Sequence, residues 1–140
     1  MAEFDGKQQN YELIPHTGDL AIRIWGTTLP ELFINAAFAL FSVMTQGVAG
    51  KPAERNVVID GADKEELLVN WLNELIFLHE TENISVVACQ VLALTPTHLT
   101  AHVTERTTQE TLLVIKAATY HNLLIQETDH GVETTVVFDI

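Results

Sequence analysis

The segment Thr28 to Met44 constrains the fold most. Thr28 precedes the run Leu29-Pro30-Glu31, and Glu31 stands three residues after it. This is the capping-box pattern, in which the two side chains satisfy each other's backbone N–H groups. Pro30 fits the first turn, where its missing N–H has no helical partner. Leu29, Leu32, Phe33, Ala36, Ala37, Leu40, Phe41 and Met44 then recur with helical spacing, so one face must be buried against something else. Gly47 and Gly50 are expected to end this helix.

That covering layer is readable in the flanking sequence. Tyr11–Ile14 is a short extended segment. From Asp19 to Gly26 the chain alternates, with Leu20, Ile22 and Ile24 on one face and Ala21, Arg23 and Trp25 on the other, as in a half-buried strand. Lys51–Arg55 reads as a loop and Asn56–Asp60 as a short strand. Asp63 and Glu66 start a second helix striped by Leu68, Trp71, Leu72, Leu75, Ile76 and His79, which closes at Glu80-Thr81-Glu82-Asn83. After it come strand signals at Ile84–Leu94, Leu99–Glu105 and Leu112–Lys116. A hairpin follows from Asn122–Glu127 through Asp129-His130-Gly131 to Val132–Ile140. The order predicts an α+β fold: two amphipathic helices packed on a mostly antiparallel β-sheet, in a single two-layer domain over residues 1–140. Residues 1–9 are expected to form a flexible tail.

Charge narrows the function classes. The formal net charge is −12, from 7 Lys+Arg against 19 Asp+Glu. The basic residues are scattered, whereas nucleic-acid backbones need clustered cations. The chain is therefore expected not to bind nucleic acid directly; its acidity either draws it to basic protein surfaces or, the plainer reading of charge alone, serves solubility only. No apolar run is long enough to cross a bilayer, and the polar N-terminus lacks a signal-peptide pattern. A cytoplasmic location is the expectation. Cys89, the only cysteine, lies in an apolar run and reads as a buried thiol.

Few residues are placed for chemistry. There is no glycine-rich phosphate loop, paired-cysteine zinc site or nucleophile elbow. Ser42 and Ser85, the only serines, lie inside apolar segments. His98 and His102 share a strand face without the further ligands that zinc requires. Pro15-His16-Thr17-Gly18-Asp19 is a polar turn in which Asp19 could simply close an Asx-turn. Val136-Val137-Phe138 reads as a core strand running into Asp139-Ile140, which could equally be a solvated end. If that strand runs beside the one starting at Asp19, three carboxylates meet, the third being the α-carboxylate of Ile140. Their repulsion would call for a cation, and hard oxygen donors favour Ca²⁺ or Mg²⁺ over zinc. Lys116, beside Tyr120 and His121, could anchor an acidic loop or contact a partner's anion.

Four segments together resemble the archease family of protein cofactors for RtcB-type tRNA-splicing ligases. They are His16-Thr17-Gly18-Asp19-Leu20 with Trp25-Gly26; Leu29-Pro30-Glu31-Leu32-Phe33 through Met44; Leu67-Leu68-Val69-Asn70-Trp71-Leu72-Asn73-Glu74-Leu75-Ile76-Phe77-Leu78; and Ile115-Lys116-Ala117-Ala118-Thr119-Tyr120-His121-Asn122-Leu123 with Phe138-Asp139-Ile140. They follow the family's order over nearly the whole chain. One departure is Gly18, where the family commonly has Ala; glycine frees the backbone and predicts a looser loop.

The resemblance implies a non-catalytic activator that promotes guanylylation and repeated turnover of an RNA ligase in tRNA splicing or RNA repair. It implies a metal site at Asp19, Asp139 and Ile140, with Ca²⁺ first and Mg²⁺ or Mn²⁺ as alternatives. Lys116 and His16 would act in activating the partner. A small metal-dependent hydrolase and a general chaperone or adaptor are the competing readings.

Overall fold

The computed structural model describes residues 9–15 and 18–140. The tail expected over residues 1–9 therefore lies almost wholly outside the described residues, as do His16 and Thr17. Along the chain run β1 (Tyr11–Ile14), β2 (Leu20–Gly26), α1 (Leu29–Met44), β3 (Thr45–Asp60), α2 (Lys64–Glu82), β4 (Ile84–Thr95), β5 (His98–Thr111), β6 (Ala117–Ala118), β7 (Gln126–Thr128) and β8 (Gly131–Asp139). The α+β class holds. The strands divide between two sheets, one ordered β1-β2-β8-β6 with β7 also on β8, the other β3-β5-β4. Every pairing is antiparallel.

Both helices begin as their sequences dictate. The Glu31 N–H donates to Thr28 Oγ1 at 3.3 Å, and the Thr28 N–H returns a bond to Glu31 Oε2 at 3.1 Å. Asp63 Oδ1 accepts from the Glu66 N–H at 2.8 Å, and the Glu66 carboxylate reaches back to the Ala62 N–H. α2 ends at Asn83, whose left-handed backbone (φ 56°) turns its N–H onto the His79 carbonyl. Asparagine tolerates this conformation better than most residues.

α1 is buried beyond its expected stripe. Ile34, Phe38 and Ala39 are buried as well, because the helix packs against β2, β4, β8 and α2. Trp71 on α2 is fully buried and donates its indole N–H to the Phe33 carbonyl at 3.0 Å, tying the helices together. Ile22, Ile24, Val136 and Phe138 from one sheet, and Leu99, Ala101 and Val103 from the other, join the same core.

Three local expectations are corrected. α1 stops at Met44, three residues before Gly47, where Thr45 turns extended and caps the Phe41 carbonyl through both its N–H and its hydroxyl. Lys51–Arg55 is no loop: β3 runs unbroken from Thr45 because β5 extends to Thr111 and pairs with it. Gly47, at φ 77°, and a register shift between Ala49 and Ala53 let this long edge strand bend without leaving the sheet. Leu112–Lys116 is not a strand but an irregular connector between β5 and β6. Its Leu112 and Leu113 N–H groups bond to the Met44 carbonyl at 2.8 and 3.3 Å, so these donors are satisfied outside any ladder.

Candidate functional site

The candidate site is built by strand register. β2 and β8 pair so that Leu20 faces Phe138 and Ile22 faces Val136. Asp19 immediately precedes Leu20, and Asp139 immediately follows Phe138. In an antiparallel pair both therefore come to the same end of the sheet. On the other side of β8, Ala117 pairs with Asp139, and the Lys116 N–H donates to the Asp139 carbonyl at 2.8 Å. Residues from three distant parts of the sequence thus converge: Asp19, Lys116, Asp139 and, next in the chain, Ile140. Asp19 is half-buried and engaged with its surroundings, whereas Lys116, Asp139 and Ile140 are exposed. His16 lies outside the described residues.

A two-residue strand such as β6 cannot hold its own position, so α2 holds it. Asn73 clamps Ala118 on both sides: its Oδ1 accepts the Ala118 N–H at 2.8 Å, and its Nδ2 donates to the Ala118 carbonyl at 3.3 Å. Thr119 bonds the Val137 carbonyl through its N–H at 3.0 Å and its hydroxyl at 2.8 Å. Further along, the Tyr120 hydroxyl reaches Asn70 Oδ1 at 3.4 Å, and the Ile125 N–H donates to Glu65 at 3.0 Å. Sequence reading missed these anchors. Their signal was present: Asn70 and Asn73, three apart within the largely apolar Leu67–Leu78 stretch of α2, are poor helix formers that need a reason to be there.

Gly18 sits at φ 78° with open space where a side chain would go. The turn before Asp19 therefore uses a left-handed backbone that glycine adopts without strain.

The donors at this end are carboxylates, which suit a hard cation that keeps part of its water shell and not zinc. Among the described residues no three His, Cys, Asp or Glu side chains cluster to hold a metal. Among the described residues Asp19 and Asp139 are the carboxylate side chains the register brings to this end, and main-chain oxygens and water would complete the coordination.

The other candidates have structural duties. His98 Nδ1 lies 2.8 Å from Asp60 and its Nε2 lies 3.0 Å from Thr100, while His102 bridges Asn56 and Glu54. Cys89 is buried as expected, and burial pushes its thiol up to about 12, far from a nucleophile's range. No helix among the described residues is long and apolar enough to cross a membrane.

These features define a small α+β protein: a central helix between two antiparallel sheets, with an acidic-and-lysine centre at one sheet end. The chain matches the Archease protein family (MTH1598/TM1083) over residues 11–140 and belongs to that family. It is 33% identical to the archease of Methanosarcina mazei, over 94% of this chain and 97% of that protein. It is 35% identical to the archease of Archaeoglobus fulgidus, over 93% and 98%. Among solved structures, Methanobacterium thermoautotrophicum protein 1598 superposes with a TM-score of 0.71 at 28% identity, covering 95% of this chain and 100% of that one. An archease from Thermotoga maritima, described as a possible chaperone, gives a TM-score of 0.68 at 25% identity, covering 91% and 94%.

Proposed function

We propose that this chain is a non-catalytic, cytoplasmic cofactor for an RtcB-type RNA ligase, promoting its guanylylation and repeated turnover in tRNA splicing or RNA repair. One observation carries the reading: the β2–β8–β6 register gathers Asp19, Asp139 and Lys116 at one sheet end, in a chain of the archease family. In this reading the Asp19 and Asp139 carboxylates, with main-chain oxygens of Ile140, hold a divalent cation, Ca²⁺ in the first instance. When bound, the cation supplies positive charge against the phosphate oxygens of a transferring nucleotide. The exposed Lys116 ammonium supplies a second, permanent positive charge beside it, directed at a partner's anion.

The test is guanylylation of purified ligase with limiting amounts of this protein, paired with calorimetric calcium titration. Wild type should accelerate the reaction and bind the ion. Asp19→Ala and Asp139→Ala should lose both properties, and Lys116→Ala should lose acceleration while keeping the ion. Acceleration by the aspartate variants equal to wild type would remove the metal from the account, and no acceleration by wild type would remove the function itself. The description of the Thermotoga protein favours a second reading, a general chaperone. That reading requires unrelated clients to be rescued from aggregation, and the aspartate variants to rescue them equally well.

A further inference from the structure

A cavity of about 390 Å³ opens between the C-terminal half of α2, the end of α1, the end of β5 and the connector after it. Met44, Ile76, Leu113 and Ile115 give it apolar walls. Its inner polar groups are already occupied. His79 Nδ1 lies 3.0 Å from the Ile84 carbonyl, which can only accept, so Nδ1 carries the proton. Nε2 lies 3.2 Å from Thr111 Oγ1. Asn83 spends its side-chain amide on the Thr108 carbonyl. A small polar ligand would find little left to bond.

The mouth is different. Val114, which lines it, is 70% exposed. Glu80 and Lys116 stand on the same rim, both exposed, and no ion pair among the described residues engages either. Lys116 belongs also to the acidic end, through its N–H bond to Asp139. A partner seated on that end would cover the mouth of this cavity.

We infer that the cavity is the anchoring socket for the partner ligase, taking one large apolar side chain from a segment that carries a basic residue beside it. The apolar side chain fills the space between Met44, Ile76 and Ile115, and its basic neighbour meets Glu80. The net charge of −12 draws such a segment in, and an apolar anchor in a desolvated pocket is where binding energy concentrates. The inference rests on the activator reading and adds where the partner is gripped.

The experiment separates grip from activation. Val114→Asp puts a charge at the mouth, and Glu80→Lys reverses the rim. Both positions are exposed, and unchanged circular dichroism and melting would certify the fold. Ligase affinity should weaken about tenfold or more in each, with guanylylation unchanged once the variants are saturating. Val58→Asp, on the outer face of the other sheet, should bind as wild type. If wild type activates and both socket variants bind normally, the socket is wrong and the activator reading stands. If wild type neither binds nor activates, the activator reading falls and takes the socket with it. A dimer that Val114→Asp dissolves would give the socket to a second copy of this chain and overturn the proposal.

Discussion

Arg55 ties three elements together through two carboxylates. Its guanidinium bonds Glu82 at 2.8 and 3.0 Å and Glu105 at 2.9 and 3.0 Å, joining β3 to α2 and β5. Glu105 is only 6% exposed, so the pair cannot be broken cheaply. Arg55→Ala should destabilise the protein by about 3 kcal/mol, because it leaves a buried carboxylate without its partner; urea unfolding would measure this. The same bonds hold the Glu82 carboxyl below the usual carboxylate range, chiefly through the Arg55 hydrogen bond. A depressed folded value means the contribution is complete above the unfolded value and is lost as pH falls through the folded one. Arg55→Ala should therefore flatten the acid limb of the stability profile, and an unchanged limb would show that Glu82 adds nothing. None of this was legible in the sequence, where Arg55 stood in an expected loop. The candidate site was legible residue by residue, since Asp19, Lys116 and Asp139 each stood out as polar groups beside apolar strands. Their own spacing left Asp19 as a turn former and Asp139 as a solvated end, because residues so far apart meet only through a register that sequence does not print.

At the scale of elements, legibility followed periodicity. α1 and α2 were readable because capping residues and a helical stripe agree, and β2 because its alternation is clean. β3 was misjudged since Gly47, Gly50 and Pro52 resemble a loop; only the length of β5 keeps that stretch in a sheet. β6 was unreadable, since Ala117–Ala118 has no pattern at all. Its position comes from Asn73 on α2, which makes that helix the clamp for the lysine-bearing side of the site. Asn73→Ala should cost about 1–3 kcal/mol, the range for leaving buried backbone groups unpaired. Its distinguishing mark is local: amide exchange at Ala118 and Lys116 should speed up far more than exchange in β2. Uniform acceleration along the chain would reduce Asn73 to a general stabiliser with no part in placing Lys116.

At the scale of the whole molecule, charge and shape act together. Of the seven Lys and Arg residues, Arg23 is held by Glu12 and Glu133 and stacks on Trp25, and Arg55 is held by Glu82 and Glu105. The net field reaching solvent is that of the excess acids, with exposed cations such as Lys51 and Lys116 set among them. In the proposed complex such a field would speed the approach of a basic partner without fixing how it docks, whereas the socket and the acidic end would fix docking without reaching far into solvent. The two contributions separate under salt, since screening at 0.15 M ionic strength acts beyond about 8 Å. Raising salt should lower the association rate with the ligase steeply and leave the dissociation rate nearly unchanged. Val114→Asp should do the reverse, speeding dissociation with little effect on association. Stopped-flow association across a salt series, with wild type and Val114→Asp in parallel, would measure both. A salt-independent association rate would mean that the excess acid serves solubility alone and that the partner finds this protein by contact, not by charge.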